Sequence, residues 1–278
     1  MSFSSLLPRV GTAAALIGVL ALALYMGITW LCVLAFVFAS LALWEFYSLF
    51  WPNSNTDLKI VAIFLCAGLM GISWIEAVHR MFGGGEDTIP IGFLLCVITL
   101  CLVFLVRFSR NTESARLLDC GLTLFGLLYI VGPLMFALQY HRLEELLFLF
   151  AIPIATDTVA YVCGNLWGKH KIWPKVSPNK SVEGCVGGLL GCVLVSVAFG
   201  LAADHPFASP AGYALMGVVL GLAAMLGDFF ESALKRRHDV KDSGSLLPGH
   251  GGVLDRIDSF LFVVPVYVAV RILMGLAQ

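Results

Sequence analysis

Residues 89–107 read IPIGFLLCVITLCLVFLVR, an apolar run that meets its first charge only at Arg107. About 20 such residues in a helix cross the hydrocarbon core of a bilayer. Lipid offers no partner to backbone N–H and C=O groups, and a helix satisfies them within itself. Comparable runs occupy 10–27, 29–50, 59–78, 117–140, 144–166, 183–203, 211–234 and 257–276. None shows the alternation and short turns of a membrane barrel. The expectation is an all-α integral membrane protein, a polytopic bundle of about nine transmembrane helices.

Composition agrees. Hydrophobic residues make up 59% of the chain and charged residues 13%, against about half and about a quarter in a water-soluble domain. A net charge of −1 provides no basic surface for nucleic acid, so a nucleic-acid partner is not expected. The eight cysteines lie in or beside apolar runs without metal-ligand spacing and read as small buried hydrophobes. The run at 10–27 is too long for a cleavable signal core of ~7–15 residues. Gly83-Gly84-Gly85 with Glu86 and Asp87 reads as an external turn, and Pro52-Asn53-Ser54-Asn55 as a cytoplasmic one.

With nine spans, one face receives Arg9, Lys59, Arg107, Arg110, Arg116, the loop from Lys169 to Lys180 and the stretch from Lys235 to Arg256. The other receives Arg80, Arg142 and Arg271. Positive loops stay in the cytoplasm, so the N-terminus and both long basic loops are expected there, in a cytoplasmic (inner) membrane. A bundle of this size is also compatible with a homodimer.

Ionisable residues at membrane depth are costly and mark functional sites, and here they gather in the last 130 residues or so. One cluster runs Asp157-Thr158-Val159-Ala160-Tyr161, Gly164, then Lys175, Ser177-Pro178-Asn179-Lys180-Ser181 and Glu183. Asp157, Tyr161 and Gly164 share a helical stripe and are expected to face one cavity. The lysines and hydroxyls of the loop suit phosphate oxygens, although a loop that only fixes topology would carry the same charges.

The second cluster is sharper: Asp228, Ser232-Ala233-Leu234-Lys235-Arg236, Lys241-Asp242, Pro248-Gly249-His250-Gly251-Gly252, and Asp255-Arg256-Ile257-Asp258. Asp228, Ser232 and Lys235 share one helical face and Asp255 and Asp258 another. Two helices thus bring three carboxylates toward one loop. Hard oxygen ligands in this arrangement suit Mg²⁺, which keeps waters and takes one or two carboxylates plus substrate phosphates. The glycines allow backbone to approach a ligand. The plainer alternative is that Asp228 pairs with a lysine, and Arg256 with Asp255 or Asp258. One histidine without a nearby cysteine in this loop argues against a zinc site.

From Ser232 to Asp258 the chain reads S-x-L-K-R, four residues, K-D, then P-x-H-G-G-x-x-D-R-x-D. This resembles the signature of the phosphatidate cytidylyltransferases, also called CDP-diacylglycerol synthases. The segment from Asp157 to Gly184 resembles a second motif of that family and Trp44-Glu45-Phe46 a weaker one. A departure is Asn179, where members often carry glycine; asparagine tolerates left-handed backbone better than most residues.

The resemblance implies that CTP and phosphatidic acid give CDP-diacylglycerol and pyrophosphate, among membrane lipids. It implies catalytic roles for Asp228, Lys235, Asp255 and Asp258, with Asp228, Asp255 and Asp258 on Mg²⁺. A second, monovalent cation such as K⁺ is compatible with it. Substrate binding falls to Asp157, Lys175, Ser177, Lys180, Ser181, Ser232, Arg236, Lys241, Asp242, His250, Gly251, Gly252 and Arg256. On this reading 1–278 is a single membrane domain, with N-terminal helices in 1–142 and catalytic helices and cytoplasmic loops in 143–278. The competing readings are a CTP-dependent lipid kinase, an isoprenoid-phosphate cytidylyltransferase, and a transporter, for which the chain lacks the inverted repeats.

Overall fold

The apolar runs fold as helices. The computed structural model describes residues 3–81, 88–112, 115–139, 143–203, 208–246 and 251–274. Its helices are α1 (Phe3–Met26), α2 (Ile28–Phe50), α3 (Thr56–Met81), α4 (Ile89–Arg110), α5 (Leu117–Gly126), α6 (Gly132–Leu138), α7 (Leu143–Trp167), α8 (Val182–Ala202), α9 (Pro210–Arg237) and α10 (Leu254–Leu273). A π-turn over Leu127–Val131 joins α5 to α6. Pro133 has no N–H to return to the carbonyl four residues back. The ladder widens just before it, with the Gly132 N–H donating to the Leu127 carbonyl.

Among the described residues, seven helical spans are long and apolar enough to cross a membrane, beginning at Ile28, Thr56, Ile89, Leu117, Leu143, Val182 and Pro210. These seven correspond to the second through eighth of the nine expected runs. α10, which holds the last of the expected runs, carries Asp255, Arg256, Asp258 and Arg271, which interrupt its apolar character. The external turn expected at 83–87 lies outside the described residues.

The chain divides into two units, Met1–His141 with Ser243–Leu254, and Arg142–Asp242 with Asp255–Gln278. In the first, Phe46 and Tyr47 of α2 are fully buried. The Tyr47 hydroxyl donates to the Thr123 carbonyl at 2.6 Å, and its ring occupies the space that a side chain at Gly126 would take. At the α3 entry Asn55 adopts a φ of 51°, accepts from Arg107 at 2.7 Å and donates to Asp119 at 3.3 Å. Lys59 is buried, donates to Ser48 at 3.1 Å and lies over the Trp44 ring.

The second unit is built on glycine. Along α8, Gly184, Gly187, Gly188 and Gly191 meet α7 so closely that added Cβ atoms would strike Ala160 O, Cys163, Thr156 O and Val159. Small residues of this kind let membrane helices pack backbone to backbone. Gly217 repeats the device between α9 and α8 at Val193 and Cys192. Arg271, buried in α10, donates to Glu145 of α7 at 3.0 Å and to Tyr267 at 3.1 Å, so this cation of the sparsely charged face is consumed inside the protein.

Candidate active site

The position that sets the site is Gly227 on α9. A Cβ there would sit 2.6 Å from the Asp258 carbonyl oxygen and 2.9 Å from Ser259 Cα, so α9 meets the first turns of α10 through bare backbone. The neighbouring acids are thereby drawn together. Lys235 of α9 donates to Asp255 of α10 at 2.6 Å and to Glu231, one turn back, at 2.5 Å. Glu231 is fully buried and its carboxylate also interacts with those of Asp255 and Asp258. Asp258 accepts from the Ser259 N–H at 2.7 Å. Burying carboxylates side by side is costly, and the Lys235 ammonium between Glu231 and Asp255 offsets part of that cost.

Asp228 forms an ion pair with Lys180 and accepts from Ser232 at 3.3 Å, so the alternative of a lysine partner for Asp228 is realised. Lys180 lies 4.6 Å over the Phe229 ring, whose edge contacts Trp173. Burial pulls the pKa of Lys180 below the ordinary lysine value, while the charges of Asp157 and Asp258 push it back up. Asp157 is within electrostatic reach of both Lys180 and Arg256. The expected shared face of Asp157, Tyr161 and Gly164 is divided: Gly164 packs on Ser181 and Gly184, whereas Tyr161 is 69% exposed.

Residues 168–181 form a loop with a closed neck. Val182 N–H donates to His170 O at 2.8 Å, Ile172 N–H to Lys180 O at 3.4 Å, and Lys171 pairs with Ser181. Ser181 is buried, and its hydroxyl accepts from the Gly184 N–H as the N-cap of α8. Arg236 bonds the Val176 carbonyl at 3.4 Å, tying the end of α9 to the loop. Lys175 is exposed and Ser177 half-buried, its N–H bonded to Trp173 O. Asn179 is not among the positive-φ residues, so the exchange for glycine asks nothing unusual of the backbone. Lys241, Asp242 and Arg256 are exposed.

In the first unit, the glycine-rich segment packs on Glu45 of α2. Glu45 Oε1 accepts from the Val253 N–H at 3.0 Å, and Oε2 from the Leu254 N–H at 2.9 Å and the Ser243 hydroxyl at 3.3 Å. A Cβ on Gly244 or Gly252 would collide with this carboxylate. Gly251 takes a φ of 81°, which L side chains rarely adopt. Pro248, Gly249 and His250 lie outside the described residues.

Among the described residues no group of three or more His, Cys, Asp or Glu forms a ready-made metal cage. Two acids carry structure that the sequence reading did not assign. Glu231 had a signal, the Glu-to-Lys spacing of one helical turn. Glu45 had only its place in a short motif, because its partners lie 198 to 209 positions away.

A family model described as "Cytidylyltransferase family" matches residues 7–274. The chain is 35% identical over 244 residues to the phosphatidate cytidylyltransferase of Staphylococcus haemolyticus, covering 87% of this chain and 90% of that protein. It is 32% identical over 240 residues to the Bacillus subtilis protein of the same name, covering 84% and 85%. With the Staphylococcus aureus (strain COL) protein of that name it shares 39% over 187 residues, 66% of this chain and 70% of that one.

Proposed function

The chain belongs to the cytidylyltransferase family, and on that premise we propose that it transfers a cytidylyl group from CTP to phosphatidic acid, giving CDP-diacylglycerol and pyrophosphate. The observation that carries the reading is the charge cluster of the second unit, where Lys180 and Lys235 are held among Asp157, Asp228, Glu231, Asp255 and Asp258. The reaction must bring two polyanions together, and both signs of charge are then needed.

An oxygen of the lipid phosphate attacks the α-phosphorus of CTP; the bond from that phosphorus to the bridging oxygen breaks, and pyrophosphate leaves. A phosphate monoester has its second pKa near 6, so the nucleophile is already ionised and no strong base is required. Lys180, Lys235, Arg236, Lys241 and Arg256 neutralise charge on the transferring and departing groups. Their placement at helix ends and in the loop suits a soluble nucleotide meeting a lipid at the membrane surface.

The donor set also fits Mg²⁺. It consists of oxygen atoms alone, and an ion held partly by substrate phosphates and water needs no complete protein cage. Asp228, Asp255 and Asp258 would hold it. When bound, the ion supplies charge neutralisation between the phosphates. The basic loops at Lys169–Lys180 and Lys235–Arg256 favour an active site on the cytoplasmic side of the inner membrane, and two spans, α8 and α9, between them return the chain to the same side.

The test is pyrophosphate release by the purified full chain with CTP and phosphatidic acid, with and without Mg²⁺, beside an isoprenoid phosphate and diacylglycerol as competing acceptors. Asp255→Asn, which keeps shape and loses charge, should stay in the membrane and lose nearly all turnover. Release with another acceptor alone, or near-normal turnover in Asp255→Asn, would overturn the assignment.

A further inference from the structure

Glu45 sits in α2, a helix long and apolar enough to cross a membrane, is only 4% exposed, and directs its carboxylate to backbone. Both oxygens are used. Oε1 accepts from Val253, and Oε2 from Leu254 and the Ser243 hydroxyl. All four residues belong to the first unit, and Leu254 is the first residue of α10. The carboxylate therefore does from another helix what an N-cap does locally: it satisfies N–H groups at a helix start.

Its contacts are with Ser243 on one side of the signature glycines and with Val253 and Leu254 on the other. Gly244 and Gly252 cannot carry a side chain without striking Glu45. Their smallness therefore answers to a protein carboxylate as well as to any ligand. The buried carboxylate would be costly without these donors.

We propose that Glu45 is a positioning residue for the transferase reaction, fixing Ser243 and the Val253–Leu254 backbone from which α10 departs. The proposal rests on the cytidylyltransferase reading for its reaction. The carboxylate is required as such. In Glu45→Gln one of the two oxygens becomes an NH₂ group, which faces an N–H donor and leaves that donor unsatisfied. Glu45→Asp keeps both acceptors on a shorter arm.

The experiment uses the full chain in detergent with lipid, and reads kcat and KM for CTP and phosphatidic acid together with the thermal midpoint. Tyr47→Phe serves as the control, because it removes the hydrogen bond from Tyr47 to Thr123 two residues along the same helix without touching the glycine-rich segment. Glu45→Gln should lower kcat about 100-fold, the scale for a displacement near 1 Å, with KM changed less than threefold, and Glu45→Asp should recover a substantial part of kcat. Tyr47→Phe should lower the midpoint and leave kcat unchanged. Unchanged kcat in Glu45→Gln, or a kcat loss in Tyr47→Phe equal to that in Glu45→Gln at the same midpoint, would overturn the proposal. If wild type turns over only a different acceptor, the substrate reading fails, and the same comparison on that acceptor still decides Glu45.

Discussion

Gly227→Ala adds one methyl group where α9 and α10 meet. Its Cβ would lie 2.6 Å from the Asp258 carbonyl oxygen, against an ordinary contact of 3.4 Å or more. The obstacle is backbone, which cannot rotate away, so the helices must separate by roughly 0.8 Å, close to the ~1 Å misplacement that costs about 10²-fold in rate. That corresponds to about 2.7 kcal/mol at the transition state. Overpacking adds a stability loss of about 1–3 kcal/mol. Lys235 would then reach Glu231 on its own helix but be stretched from Asp255 on the other. The assay is pyrophosphate release per folded protein, scaled by a thermal melt. Gly221→Ala provides the comparison, because its Cβ meets the Leu189 and Cys192 side chains at 3.0 and 3.1 Å, which can yield by tenths of an ångström. Turnover in Gly227→Ala within twofold of wild type, or equal losses in both variants, would refute the reasoning.

Two further predictions follow from the charges. Because burial lowers the pKa of Lys180, this ammonium discharges at a lower pH than an exposed lysine, and the alkaline limb of the rate profile should follow it. Lys180→Arg, whose guanidinium stays charged, should move that limb to higher pH; coincident limbs would exclude Lys180 as the titrating group. For topology, Asp87→Cys should react with an impermeant maleimide in intact cells, and Lys175→Cys only after permeabilisation. Equal labelling of both in intact cells would overturn the orientation.

The helices were legible in the sequence because lipid imposes a single demand, a continuous apolar run, which hydropathy reports directly. Their number was harder, since Asp255, Arg256, Asp258 and Arg271 make α10 read as partly polar. At the site, the proximity of Asp255 to Lys235 could be anticipated from the signature, but the cause of that proximity could not. It is the absence of a side chain at Gly227, and nothing local distinguishes this glycine from Gly221. Asp228 is paired with Lys180, a pairing that the sequence permitted without choosing. Glu45 was beyond reach for another reason: its partners are amide protons, which every residue but proline carries, so no residue type announces them.

The closed neck of the loop at 168–181 has a thermodynamic consequence. Its two ends are anchored by Ser181, His170 and Val182 on helices that touch through their backbones, so much of the segment's freedom is surrendered when the chain folds. Freezing a residue costs about 1–2 kcal/mol wherever it occurs. On the proposed role of Lys180, an arriving anion would meet a host already ordered, and more of its attraction would survive as affinity.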